Sequence, residues 1–331
     1  MPVSRLTAAV AFGAGAVLGG LGGIALYKRT QKTEVIVPHV PATLPPTLPT
    51  DVTEQPVHKA KEIMKFGFPG PVSDLLYRQA YVTSYNRSLR NPNWVAEHLT
   101  AATLEGKSNS STSLIVVDEA NLDKPDRSHS TFREDLRIPR LFRAKLKDYV
   151  KTGYDRGHLA PAADVRDSQE AINETFLLTN ISPQVGKGFN RNYWFYFESF
   201  VRSLTKVFDD VYVITGPLYL PKVGEDGRSY VKYEVIGDPP NTAVPTHFYK
   251  VVLGVKGKEH ALQGFVLPNE PIENTASLEA FTMPLDAIER AAGLVFFPDL
   301  NRLAYKPLCA VTKCDITHML EASKKASKWR L

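Results

Sequence analysis

Six prolines fall between Val37 and Pro56, at positions 38, 41, 45, 46, 49 and 56, interleaved with Thr and Val. Proline fixes φ and has no N–H to give a helix or a sheet ladder, so the segment predicts an extended, semi-rigid spacer. It therefore cuts the chain, and anything compact must lie beyond it. Of the 331 residues, 43% are hydrophobic and 23% charged, which excludes a wholly disordered, collagen-like or coiled-coil chain. The division expected is a leader at 1–33, a linker at 34–57, one globular domain at 58–320 and a basic tail at 321–331.

Ahead of the spacer, Thr7 to Tyr27 is a run of 21 residues without a charge, bounded by Arg5 and by Lys28-Arg29. At about 1.5 Å per residue, a helix of that length reaches across a bilayer core of about 30 Å. Its many glycines weaken it as a helix in water, though small residues are tolerated inside membranes. No Asp or Glu occurs before Glu34. An acid-free, basic, Ala- and Gly-rich leader has the character of a mitochondrial targeting segment, retained as an inner-membrane anchor or cleaved. A secretory signal peptide is the other reading.

In the globular part, apolar and β-branched runs predict strands at Ala80–Tyr85, Trp94–Leu99, Ser113–Asp118, Val211–Thr215, Thr246–Val255 and Ala261–Leu267. Helices are expected at Gln169–Thr175, Arg191–Val207 and Pro284–Ala292. Hairpin-like strand pairs without regular β-α-β alternation predict an α+β fold with a largely antiparallel sheet core and flanking helices. The absence of a phosphate-loop motif disfavours a nucleotide-binding doubly wound fold.

The chemistry concentrates in Tyr154-Asp155-Arg156-Gly157-His158. Histidine is the side chain best able to take a proton near neutral pH, and an arginine beside it can hold a phosphate oxygen through two donors. Gly157 is expected to let the backbone turn between them. Together they suit attack of water on a phosphodiester. Downstream, Tyr193, Phe197, Phe200, Val201 and Leu204 follow helical spacing, as an amphipathic helix does. Asn190 and Glu198 are eight residues apart, about 80° around such a helix and about 12 Å along it. Two direct bonds to one ion are then awkward. One oxygen ligand from Asn190, with Glu198 acting through water or an arginine, suits a hydrated octahedral Mg²⁺ and not a tetrahedral zinc. The alternative is that Asn190 caps the helix and Glu198 lies on its solvated face.

Asp-Arg-Gly-His at 155–158, Thr-Asn-Ile-Ser-Pro-Gln at 179–184 and Phe-Asn-Arg-Asn-Tyr-Trp at 189–194 resemble the DNA/RNA non-specific endonuclease family, and within it the mitochondrial endonuclease G branch, its fungal members above all. The likeness runs from about Phe66 to Cys314 and includes Phe132-Arg-Glu-Asp135, Thr215-Gly-Pro-Leu-Tyr219 and Val244-Pro-Thr-His-Phe248. The stretch from Asn180 to Asn190 looks one residue longer than in animal members.

The resemblance implies a ββα-metal (His-Me finger) site, two strands and a helix around one divalent cation. On that mapping His158 is the general base and Asn190 the single protein ligand of Mg²⁺ or Mn²⁺. Glu198 holds a water of the ion's shell, Arg156 and Arg133 contact phosphates, Asn180 supports the base or the scissile phosphate, and Asp155 orients the backbone or the water shell. It further implies DNA and RNA as substrates, single- and double-stranded, and a homodimer. Acidification through the pKa of His158, depressed by Arg156, is expected to stop activity.

A net charge of +5 permits a polyanionic partner without demanding one. Arg127 to Arg156 carries nine Lys or Arg against four acids, which reads as a phosphate-binding stripe or, over Leu141–Tyr149, as a solvated loop. Cys309 and Cys314 are expected as buried free thiols; a disulfide in an oxidising compartment and a zinc site with His318 are the alternatives. Two rival functions remain, a catalytically silent membrane-tethered nucleic-acid-binding scaffold of the same fold, and a phosphodiesterase acting on small molecules.

Overall fold

A computed structural model describes residues 54–69, 74–106, 125–317 and 319–321. The expected leader, most of the spacer, the strand at Ser113–Asp118, His318 and nearly all of the basic tail lie outside the described residues. The linker boundary shifts. Helix α1 spans Glu54–Ile63 and includes Pro56 in its first turn, where a missing N–H is no loss.

The centre is an eight-stranded sheet in the order β1-β2-β3-β6-β11-β12-β13, with β14 beside β12. Its strands are β1 (Asp74–Tyr77), β2 (Tyr81–Asn86), β3 (Asn91–Leu99), β6 (Asp210–Leu218), β11 (His247–Lys256), β12 (Glu259–Pro268), β13 (Thr282–Met283) and β14 (Tyr305–Pro307). Every pairing is antiparallel except β12 with β14. The α+β expectation is met. Outside the sheet stand β4 (Tyr154–His158) paired with β5 (Ile181–Val185), and β9 (Val235–Ile236) paired with β10 (Thr242–Ala243). Residues 221–231 form a separate unit, a small hairpin of β7 (Lys222–Val223) and β8 (Ser229–Tyr230). The remaining helices are α2 (Ala101–Leu104), α3 (Gln169–Thr175), α4 (Phe195–Ser203), α5 (Leu285–Ala292) and α6 (Leu308–Val311).

Period-two side chains explain why the long strands were readable. On β3, Val95 and Leu99 face the same core as Val211 and Val213 on β6, Phe248 and Val252 on β11, and Phe265 and Leu267 on β12. That face receives Tyr193, Trp194, Phe197, Phe200, Val201 and Leu204, the stripe expected of the amphipathic helix. Phe197 is fully buried, its ring edge-on to Phe265 with centroids 5.0 Å apart. Phe197→Ala leaves a cavity beneath the helix and is expected to destabilise the domain by about 3–5 kcal/mol. Urea unfolding measures it, and a loss under about 1 kcal/mol would contradict this packing.

Two further expectations change. Leu141–Tyr149 is not a solvated loop: Ala144, Asp148 and Tyr149 are buried, and Asp148 accepts hydrogen bonds from Lys145 N, Asn241 Nδ2 and Thr242 Oγ1 at 2.8, 2.6 and 2.9 Å. Cys309 and Cys314 are joined in a disulfide instead of remaining free thiols, which leaves neither sulfur for zinc.

Candidate active site

The antiparallel pair β4–β5 sets Asp155 opposite Gln184, Gly157 opposite Ser182 and His158 opposite Ile181. The chain then runs through Gly186–Trp194, a widened helical stretch broken at Lys187 (ψ 132°) and Gly188 (φ 87°), straight into α4. The left-handed backbone at Gly188 is one glycine adopts freely, and it sets the angle at which the helix leaves the strand pair. Strand, strand and helix thus enclose one cleft of about 410 Å³, lined by residues that include Arg127, Phe132, Tyr149, Tyr154, Asp155, Arg156, His158, Asn190, Arg191, Phe195 and Glu198.

His158 lies between two aromatic rings, with centroids 5.3 Å from Phe132 and 4.7 Å from Phe176. The residue is half-buried as a whole, since one edge faces the cleft. Its Nε2 is covered and has no hydrogen-bond partner, so Nδ1 is the nitrogen left to face the cleft. A proton gained there would leave a charge against arene walls. Burial, and secondarily the Arg127 guanidinium, accordingly push the imidazole down to about 3. The depressing arginine is Arg127, not Arg156 as the sequence suggested. Arg156 stacks on the outer face of Phe132, 4.7 Å from its centroid, and Arg127 lies 6.0 Å from the Phe176 ring.

Asn190 donates from Nδ2 to Asp155 Oδ2 at 2.9 Å, and Arg191 grips the same carboxylate with Nε at 2.7 Å and with Nη2. Burial raises the Asp155 carboxyl, but these donors outweigh it and hold it below its ordinary value. With its amide N–H committed, Asn190 has its side-chain oxygen left as a donor atom for a cation. Glu198, half-buried eight residues on, completes the same wall, and burial raises its carboxyl to about 7 against the opposing charges of Lys250 and Arg202. A sparse set of oxygen donors fits a hard ion such as Mg²⁺ or Mn²⁺ that keeps most of its waters.

Not every sequence-derived candidate reaches the cleft. Asn180 is fully buried, with Oδ1 accepting from Ala160 N at 2.9 Å and Nδ2 donating to the carbonyls of Ala160 and Thr175 at 2.9 and 2.8 Å. It braces the backbone just past His158 and has no route to a phosphate. Arg133 lies outside the cleft lining, 3.6 Å from Glu170. Gly157 makes no sharp turn. It sits inside β4, and a Cβ there would meet Gln184 Oε1 at 2.0 Å, so its task is to admit that side chain.

Part of the basic stripe is spent internally. Arg137 donates to Tyr77 O, Arg143 to the carbonyls of Ile138 and Leu136, and Lys147 to Asp238 O. Only Arg127 and Arg156 of that stretch line the cleft. Arg127 and Arg191 were not singled out as site residues beforehand. Arg191 follows Asn190 directly, which was a readable signal; Arg127 comes from a distant loop, which was not.

A second group of possible metal ligands, Glu62, His98 and Asp210, has donor atoms within 4.8 Å of one another. They are already engaged in pairs, His98 Nε2 with Asp210 Oδ1 at 2.8 Å and Tyr212 OH with Glu62 Oε1 at 3.1 Å, and none lines the cleft.

Residues 59–303 match the family model described as DNA/RNA non-specific endonuclease. A nuclease of Syncephalastrum racemosum is 50% identical over 263 residues, covering 78% of each chain. The mitochondrial nuclease of Saccharomyces cerevisiae is 45% identical over 76% of this chain and 74% of its own, and human mitochondrial endonuclease G is 42% identical over 72% and 74%. A chain of the solved EndoG/EndoGI complex superposes with a TM-score of 0.68 at 43% identity, over 76% of this chain and 98% of that one. From its cleft, its fold and these relatives, the chain belongs to the DNA/RNA non-specific endonuclease family.

Proposed function

We propose that the protein is a mitochondrial, metal-dependent, sugar-non-specific endonuclease that hydrolyses phosphodiester bonds in single- and double-stranded DNA and RNA and leaves 5′-phosphates. The observation that carries this reading is the shared cleft of a neutral His158, Arg156, Asn190 and Glu198. His158 takes a proton from water at Nδ1 as the water oxygen bonds to phosphorus and the bond to the 3′ oxygen breaks. Arg156 and Arg127 hold phosphate oxygens whose charge grows in that step. Asn190, through its side-chain oxygen, would hold Mg²⁺ or Mn²⁺, with Glu198 fixing the ion's hydration. When bound, the ion supplies positive charge to the phosphate and the leaving oxygen. Asp155 keeps the Asn190 amide turned the right way. A cleft that grips phosphate through arginines suits a substrate range spanning both sugars.

Plasmid nicking with Mg²⁺ and with EDTA tests the reading. Cleavage is expected with Mg²⁺, none with EDTA, and inhibition of a small phosphodiester substrate by long DNA. If wild type and His158→Ala nick at one negligible rate, the silent scaffold is the better account.

The pH profile separates the two ionisable groups. Glu198 acts as a carboxylate, so kcat is expected to fall as pH drops through about 7, while His158, held at about 3, stays neutral throughout that range. The acid limb then belongs to Glu198 instead of His158, and more Mg²⁺ should move it to lower pH. Full activity at pH 5 in limiting Mg²⁺ would contradict this.

The leader at 1–33 and the relatives named mitochondrial support residence at the inner membrane, facing the intermembrane space, with the linker as tether. No described helix is long and apolar enough to cross a membrane, and the candidate anchor lies outside the described residues. A homodimer is part of the same reading.

A further inference from the structure

The cleft carries an apolar surface that hydrolysis itself does not use. Phe195 opens α4 and is 42% exposed, and of the well-exposed large apolar side chains among the described residues it alone lines the cleft. The other aromatic rings there are occupied. Phe132 packs on His158 and Phe176 and bears Arg156, Tyr149 is buried, and Tyr154 donates its OH to Glu234 Oε2 at 2.8 Å. Among the described rings, that of Phe195 meets only Tyr196, edge-on with centroids 5.5 Å apart.

Its surroundings are apolar and fixed. Glu198 and Arg202 follow Phe195 by three and seven residues, so the three share one face of the helix. Arg202, itself mostly buried, donates to the buried Asp164 at Oδ1, 2.6 Å away, which ties that face to the short turn Ala162–Asp164. Pro161, Ala162 and Ala163 lead into this turn and line the same cleft as Phe195. Their side chains are small and form no hydrogen bonds. The cleft therefore has a basic part, with Arg127 and Arg156 beside His158, and an apolar part, with a phenyl ring on one element and Pro-Ala-Ala on another. A nucleic acid divides in the same way, into charged phosphates along the backbone and flat base faces one sugar away. Water gains nothing from an exposed phenyl ring, whereas a flat ring laid on it removes apolar area from both.

We propose that Phe195 is a base-stacking residue: it receives the face of an unstacked nucleobase next to the scissile phosphate and so fixes where the strand lies over His158 and Glu198. This rests on the nuclease reading above and adds a base subsite to it. Every base has a π-face, so the contact strengthens binding without selecting sequence.

Two single strands with the same phosphates test it, oligothymidylate and a wholly abasic strand of equal length, each cleaved in Mg²⁺ by the full chain. Wild type is expected to show a kcat/KM at least about ten-fold higher on the thymidylate, the scale of one stacked base. Phe195→Ala is expected to bring that ratio close to one, chiefly through KM, and Phe195→Tyr to keep it. A wild-type ratio near one overturns the proposal. So does an equal loss on both strands in Phe195→Ala, which marks a structural role. If wild type cleaves neither strand, the nuclease reading fails first and the base subsite falls with it, a result distinct from the other two. Should Phe195→Ala not fold by thermal melt, Phe195→Leu keeps the bulk and removes the π-face. The ratio must fall there too, and its retention overturns the proposal.

Discussion

His158→Ala is expected to lower phosphodiester cleavage by about 10²- to 10⁴-fold, the range over which a positioned general base contributes. No other residue on the cleft wall can replace it, because Asp155 is held by Asn190 and Arg191, and Glu198 is required elsewhere. KM for nucleic acid should move little, since the arginines remain. The variant also carries a stability signature. The imidazole is held at about 3 in the fold against an ordinary value near 6.5, so between those values the unfolded chain binds a proton that the folded chain refuses. Stability on this account is complete above about pH 6.5 and declines as pH falls toward 3. His158→Ala removes that part of the slope. Urea midpoints at pH 7 and pH 5 for both proteins measure it. Parallel pH dependences would show that the imidazole takes up its proton alike in the folded and the unfolded chain.

Asn190→Ala is expected to be nearly as damaging, by a different route. Partners that only orient a metal's ligands typically contribute 10- to 100-fold in affinity or activity, and the ligand itself should stand at or above about the top of that range. Asp155→Ala, which frees the Asn190 amide and Arg191 together, belongs within it. Titrating Mg²⁺ against nicking rate distinguishes the two. Asp155→Ala should recover much of its activity at high Mg²⁺, and Asn190→Ala should not. Equal Mg²⁺ requirements in Asn190→Ala and wild type would remove Asn190 from the ion.

Which parts of this site could be read in the sequence follows from how far each depends on neighbours. The long strands and α4 announce themselves because their apolar periods match the sheet and helix repeats: Val211–Thr215 lies within β6, and Gln169–Thr175 coincides with α3. The strand that carries His158 does not. Tyr-Asp-Arg-Gly-His has no alternation of apolar and polar residues, and only its resemblance to a known family marked it as a strand. The settings of Asn180, which braces the backbone beside the base, and of Arg133, which pairs with Glu170 outside the cleft lining, were not readable for a related reason. A motif fixes residue identity, but whether an amide turns toward a cleft or braces a carbonyl is decided by packing. Lys250 was legible in part, as a lone charge in the apolar run from Phe248 to Val255, though its hydrogen-bond partner Thr215 on β6 was not. Arg127, remote in sequence from the histidine it acts on, was visible only as the first cation of a basic stretch and not as a neighbour of that histidine.

The close approach of Gln184 to Gly157 has a consequence for how the protein tolerates change. The glutamine is fully buried, so it has nowhere to swing, and even the smallest substituent at 157 meets its Oε1, Cδ and Cγ within 2.0–2.5 Å. Admitting a methyl group there means prying β4 from β5 at the residue beside His158. A position with no side chain is thereby as unforgiving as the base itself. In a map of permitted substitutions, glycine 157 would look like part of the chemistry, although it never meets a substrate.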